Sequence, residues 1–92
     1  MLYPIYIGKD WEPGYTYYPS RGCTGSNELF AGFVDNRGVC RSKCDDNNRC
    51  LSFEWWGDSN PHGFGPRYCQ TSSSCTEGLA TNGSNHLYVK GI

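Results

Sequence analysis

This chain of 92 residues has no long apolar run and no block of like charge. Its unbroken hydrophobic stretches are only a few residues long, whereas a membrane-spanning helix needs about 20. Eight basic and nine acidic residues are scattered along the sequence and leave a net charge of −1. Nucleic-acid binding domains usually carry a basic stripe, which is missing here. We therefore expect no membrane insertion, no nucleic-acid partner and no strongly anionic partner such as heparin.

The sequence also lacks the motifs of catalysis and of metal binding. It has no Gly-x-Ser-x-Gly turn for a nucleophilic serine and no Cys-x2-Cys pair for zinc, and it has only two histidines. Glu54, beside Trp55 and Trp56, is the one acid in a suggestive setting, and no second carboxylate accompanies it for glycoside hydrolysis. We predict a protein that is not an enzyme and that needs no metal or cofactor.

Cysteine is abundant, with six residues in a chain that is otherwise rich in glycine and proline. A hydrophobic content of 37% in one small domain indicates a thin core that needs covalent support. An even number of irregularly spaced cysteines favours disulfides, and so a secreted, extracellular or lumenal protein. No secretory signal follows Met1, so we expect a processed or excised domain, or part of a larger protein.

Residues 1–22 are aromatic and interrupted by prolines, and we predict that they form an N-terminal arm. A strand over residues 2–7 would lie at a sheet edge, because Pro4 cannot donate a ladder hydrogen bond. The aromatic side chains of the arm either cap a thin core or form a stacking platform for a sugar or a peptide. The two binding candidates in the arm are Trp11 and Tyr17.

The next part of the chain predicts a strand and then a short helix. Residues 28–34 alternate apolar side chains on both faces, which is typical of a central strand. Asp35 or Asn36 can accept hydrogen bonds from the free amides of a helix start, and the helix would end near Asn47. Cys40 and Cys44 are four residues apart and therefore share one face of that helix.

Residues 50–56 give the clearest strand pattern. Leu51, Phe53 and Trp55 alternate with polar positions, so we expect this face to pack on the helix and Trp56 to lie on the polar face. A glycine- and proline-rich loop follows over residues 57–66, and two further strands are predicted at residues 67–71 and 86–90, the second with Leu87 and Val89 inward. Asn82 begins an Asn-Gly-Ser glycosylation motif.

The cysteine pattern resembles that of the PAN/apple domain family over residues 23–92. The resemblance is carried by Cys40-x3-Cys44-x5-Cys50 with Leu-x-Phe-Glu behind it, by Cys69-Gln-x-Ser-Ser and by the closing Leu87-Tyr-Val-Lys90. It implies an α+β fold, a small disulfide-rich domain with one short helix packed on a curved antiparallel sheet. Residues 1–22 lie outside it.

The resemblance also implies how the cysteines pair. It suggests the disulfides Cys44–Cys50, Cys40–Cys69 and Cys23–Cys75, whereas six cysteines alone allow fifteen pairings. The chain departs from the family in two places. Cys75 follows Cys69 by only six residues, and the loop over residues 57–66 is long for the family, as an elaborated binding loop would be.

The function that the resemblance implies is a non-catalytic, adhesion-type recognition module for carbohydrate or protein. We expect its binding surface where an exposed aromatic meets the long loop, at Trp56, His62, Phe64 and Arg67. If Trp56 packs under the N-terminal arm instead, its role is structural. The alternative function is a disulfide-stapled structural subunit of a larger extracellular or lumenal assembly that docks through the arm. A secreted inhibitor or effector is a third option.

Overall fold

A computed structural model describes residues 11–23, 29–57, 66–75, 79–80 and 85–91. Within these ranges the chain forms one helix, a five-stranded antiparallel sheet and a two-stranded antiparallel sheet. The elements are β1 (Tyr15–Pro19), β2 (Arg21–Gly22), β3 (Phe30–Phe33), α1 (Arg37–Asp45), β4 (Ser52–Trp56), β5 (Tyr68–Ser72), β6 (Leu79–Ala80) and β7 (Asn85–Lys90). The prediction of a small disulfide-rich α+β domain, with one short helix on an antiparallel sheet, is confirmed.

The main sheet has the strand order β1-β7-β4-β5-β3, so β4 lies at its centre and β3 at one edge. The prediction of a central strand over residues 28–34 is therefore wrong. Both faces of that segment are apolar, but Phe30 and Val34 on one side pack against the core whereas Phe33 on the other side is 63% exposed. At the opposite edge, Tyr15–Pro19 of the predicted arm pairs along its whole length with β7 and belongs to this sheet.

Side-chain hydrogen bonds are made at both ends of the helix α1. The side chain of Asn36 accepts a hydrogen bond from the backbone N–H of Val39 at 3.0 Å, which is the predicted N-cap. At the other end, the Lys90 amine donates to the backbone carbonyl of Cys44 at 2.8 Å. A cation there complements the negative end of the helix dipole. The last strand therefore helps to hold the helix on the sheet.

Three disulfides join these elements. Cys40–Cys69 connects the helix to β5, Cys44–Cys50 connects its last turn to the segment before β4, and Cys23–Cys75 connects the residue after β2 to the chain after β5. No free cysteine remains. These are the same three pairs that the resemblance implies.

The core lies between the helix and the main sheet. An aromatic cluster crosses three strands there: Phe53 meets Tyr15 edge to face at 5.0 Å and stacks on Tyr88 at 4.7 Å between ring centroids. Phe53 and Trp55 are buried as predicted, but Leu51 is 41% exposed because it precedes the strand rather than lying within it. The expectation that Leu51 packs on the helix is therefore wrong. Aromatic rings and disulfides together fill a core with few aliphatic side chains.

The segment before β1 is tied to the helix by a buried carboxylate. Glu12 is paired with Arg37 and with Arg41, whose Nη1 lies 3.1 Å from Glu12 Oε1. Because both arginines come from the first part of α1, these ion pairs fix the entry of the chain into β1 against the helix. This is a second reason why residues 12–22 form part of the fold.

We expect Glu12→Ala to lower the free energy of unfolding by about 2 kcal/mol, because it leaves two arginines without their shared partner. This figure is below that of a fully buried pair because both arginines are partly exposed. The measurement is urea denaturation at neutral pH and low salt. Arg49→Ala, on an exposed residue outside this network, is the matched control and should change stability little. Equal midpoints for the two variants would contradict a stabilising role for Glu12.

Candidate functional site

The main sheet has a helix face and an opposite face, and the candidate site lies on the opposite face. Over β4 and β7 this face is covered by the chain around β2. The backbone N–H of Cys23 donates to Glu54 Oε1 at 3.0 Å, and the Asn85 amide donates to the carbonyl of Arg21 at 2.8 Å. Over β5 and β3 it is more open, with Ala31 and Phe33 exposed. This cover explains why Glu54, predicted on a polar face, is buried, and Ser52 on the same face is buried too.

Three rings form a row on this face, from the covered part over β4 to the open edge at β3, and we refer to Phe33, Tyr68 and Trp56 as the aromatic row. Strand register places Phe33 opposite Tyr68 and Tyr68 opposite Trp56. The ring centroids are 5.0 Å and 5.7 Å apart, and both pairs meet edge to face. Exposure rises along the row from Trp56 through Tyr68 to Phe33. Phe33 is therefore the exposed ring of the row, and it packs against the more buried rings of Tyr68 and Trp56.

Trp56 was expected to be the exposed aromatic of the site, and this prediction is wrong. The indole is only 6% exposed, because β4 is the central strand and its second face is covered. The structure instead places the exposed ring two strands away, at Phe33. Trp56 still belongs to the site, since it supports Tyr68, which in turn supports Phe33.

Arg67 lies beside the aromatic row, close to where sequence reasoning placed it. Its backbone N–H donates to the carbonyl of Trp56 at 2.7 Å, and its carbonyl accepts from the N–H of Val34 at 3.0 Å. These bonds hold Arg67 at a φ of 69°, in the left-handed region, with the residue exposed. Among the described residues, no ion pair involves its guanidinium. Arg67 therefore joins the ends of β3 and β4, directly before Tyr68 in the chain, with its side chain exposed.

Gln70 adds an amide to the same face. It lies two positions along β5 from Tyr68, directly opposite Ala31, and is half-buried. An exposed phenyl ring, a guanidinium and a primary amide can stack on an apolar surface and donate hydrogen bonds to oxygen acceptors. This combination supplies binding groups and no nucleophile.

The remaining predicted binding residues do not join the row. Tyr17 lies in β1, at the other edge of the sheet, where its hydroxyl contacts His86 Nδ1 at 2.6 Å and its ring stacks on the same imidazole. Trp11 precedes that strand and is 38% exposed. His62, Phe64 and the predicted glycosylation site Asn82 lie outside the described residues. Of the predicted set, the structure brings together Trp56 and Arg67.

Glu54 lies near the row and has a raised pKa. It lies two residues before Trp56 on the same face and is 1% exposed, and burial raises its pKa from 4.5 to about 7. The hydrogen bonds from Cys23 and Asn85 favour the ionised form and partly oppose this rise in pKa. Both carboxylate oxygens are occupied by protein donors. The geometry gives Glu54 a structural role beneath the covered part of the face.

Sequence reasoning missed Phe33 and Tyr68. The alternation in residues 28–34 already placed Phe30 and Phe33 on opposite faces, and that signal would identify Phe33 once β3 is known to be an edge strand. In the part of the chain that the structure describes, no three His, Cys, Asp or Glu side chains are grouped to hold a metal ion. No helix in those ranges is long and apolar enough to cross a membrane.

Fold and site together define a small disulfide-stapled α+β domain with a partly exposed aromatic row at one sheet edge. In comparisons with protein-family models, with curated proteins and with solved structures, no match to this chain is found. The resemblance to PAN/apple domains therefore rests on the cysteine pattern and stays a prediction.

Proposed function

We propose that this chain is a non-catalytic recognition module that binds a carbohydrate or protein ligand through the aromatic row, as an adhesion-type domain does. The observation that carries the proposal is Phe33, a large apolar side chain that is 63% exposed on the rim of a sheet whose other rings are mostly covered. Three disulfides support a secreted, extracellular or lumenal location.

The arrangement favours binding because the exposed ring is held in place. Phe33 meets Tyr68 edge to face, and Tyr68 meets Trp56 in the same way, so little side-chain freedom remains to be lost when a ligand docks. A phenyl ring on such a base suits the apolar face of a sugar or an apolar side chain of a protein. Arg67 and Gln70 then supply donors for hydroxyl, carbonyl or carboxylate oxygens.

The test is a screen of the intact chain on a glycan array and on a panel of extracellular proteins, followed by Phe33→Ala. We expect the substitution to weaken binding of the selected ligand about 30-fold, the effect of removing a hot-spot aromatic. Leu51→Ala is the matched control, because Leu51 is also an exposed apolar residue but lies away from the row. Circular dichroism should show both variants folded.

Arg67→Gly provides the second measurement at the same site. Glycine removes the guanidinium and keeps the left-handed backbone, whereas alanine would add strain at this φ. We expect weaker binding with the fold intact. If no carbohydrate or protein ligand is found, or if Phe33→Ala binds as tightly as Leu51→Ala, the proposed function is wrong.

A structural subunit of a larger extracellular or lumenal assembly is the second candidate. The observation that favours it is Trp11, an exposed indole next to Glu12, which the helix arginines hold in place. A neighbouring subunit would bury this ring. Under this alternative, Trp11→Ala removes association with the native neighbour and Phe33→Ala leaves it intact.

A further inference from the structure

In the part of the chain that the structure describes, the outer edge of β3 is short and lacks the charged and proline residues that usually protect an edge strand. Its sequence, Phe-Ala-Gly-Phe over Phe30–Phe33, contains no charge and no proline, and no described strand pairs with its outer side. Natural sheets generally block such edges because their backbone groups recruit further strands. The other edge, β1, ends at Pro19 and turns away at Ser20, which has a φ of 53°. Among the described residues, β3 is therefore the sheet edge better suited to pairing.

Opposite charges lie at the two ends of β3. Near its start, the Lys43 amine lies 4.3 Å from the centroid of the Phe30 ring. Just past its end, Asp35 follows Val34 and is exposed. Within the described ranges, neither Lys43 nor Asp35 takes part in an ion pair. The edge therefore has a cation at one end and an anion at the other.

We propose that a second copy of this chain pairs with β3 edge to edge and antiparallel, joining the two main sheets into one. Antiparallel pairing about Gly32 places Phe30 opposite Val34 of the second copy. Lys43 then comes near Asp35 of the second copy, and the same contact repeats by symmetry. The charge pattern of the edge is thus complementary to itself. A net charge of −1 per chain adds little repulsion.

This dimer would bring two binding surfaces onto one face. A two-fold axis perpendicular to the sheet keeps like faces together, so both aromatic rows lie on the same side. In this register Phe33 lies opposite Ala31 of the second copy, and the two rows become neighbours. This consequence rests on the proposed function: a repetitive ligand could engage both rows at once and gain avidity.

The test is sedimentation velocity of the purified chain over a concentration series. We expect a reversible dimer, and Ala31→Lys should weaken it about tenfold by placing a charge on the exposed edge. Leu51→Lys adds the same charge on an exposed residue away from β3 and should leave the dimer unchanged. A chain that stays monomeric at every concentration, or a dimer insensitive to Ala31→Lys, overturns the proposal.

Charge reversal tests the register. Asp35→Lys and Lys43→Glu should each weaken the dimer about threefold, and the double variant should restore it, because the opposite charges meet again. Circular dichroism of each variant confirms that the helix remains folded. A double variant as weak as the single variants overturns the proposed pairing.

The result of the dimer experiments can be told apart from the result of the ligand-binding experiments. A monomer whose ligand binding is lost in Phe33→Ala contradicts the dimer and supports the binding module. A dimer that binds neither carbohydrate nor protein supports the pairing and contradicts the module.

Discussion

Replacing Cys40 and Cys69 together with alanine is expected to leave the chain largely unfolded at about 37 °C. This disulfide joins the helix to β5 across a sequence separation of 29, and closing such a loop in the unfolded chain contributes about 3.5 kcal/mol. A whole domain of this size is stable by only about 5–15 kcal/mol. Both sulfur atoms are also completely buried, so the alanines leave cavities in a thin core. Loss of near-ultraviolet circular dichroism measures the effect.

The matched control is removal of Cys44–Cys50, which closes a loop with a sequence separation of only 6. The same chain-entropy argument gives about 2 kcal/mol for it, so this variant should melt lower and remain folded at room temperature. The wild-type chain in strong reductant should behave like the Cys40/Cys69 variant or worse. Equal melting temperatures with and without reductant would contradict a framework of stabilising disulfides.

The elements that could be predicted from the sequence are those set by local chemistry. Asn36 caps the helix through its own side chain, and Cys40 and Cys44 share a helix face because of their spacing. The strand that ends at Trp56 could be predicted because its polar and apolar side chains alternate with a period of two. Which cysteines pair depends on the tertiary fold. The three pairs were predicted from the resemblance to PAN/apple domains and not from the spacing of the cysteines.

The candidate site was only half predictable, because exposure depends on strand order and on what covers each face. Trp56 was assigned to an open surface because it shares a strand face with Ser52 and Glu54, and polar side chains usually mark a face that is in contact with solvent. Here Glu54 lies under the chain around Cys23, a contact between residues about thirty positions apart, and Ser52 is buried as well. Phe33 was assigned to a central strand because both faces of its segment are apolar. No local pattern states that β3 ends the sheet.

The stability of the wild-type chain is expected to fall as the pH rises from about 5 to about 8, and Glu54 is the cause. Its pKa is about 7 in the folded chain and 4.5 ordinarily, so the folded state binds the proton more tightly than the unfolded state. The stabilisation is complete below about 4.5 and is lost as the pH rises through 7. For a carboxyl group this deeply buried, the change amounts to about 3 kcal/mol.

Glu54→Gln should flatten this dependence, because glutamine has the same shape and does not titrate in this range. Its carbonyl can still accept from the N–H of Cys23, but its amide then faces the amide of Asn85, and one hydrogen bond costing about 1 kcal/mol is lost at every pH. Urea denaturation at pH values of about 5 and 8 separates this constant cost from the slope.

The difference between the two chains isolates Glu54, since every other ionisable group is present in both. Asp46→Asn, which removes an exposed carboxylate at the end of the helix, is the matched control and should keep the wild-type slope. If Glu54→Gln loses stability with pH as steeply as the wild-type chain, another group carries the dependence. If the stability of Glu54→Gln is nearly independent of pH, the buried Glu54 carboxyl is the group that makes the folded domain most stable in mildly acidic solution.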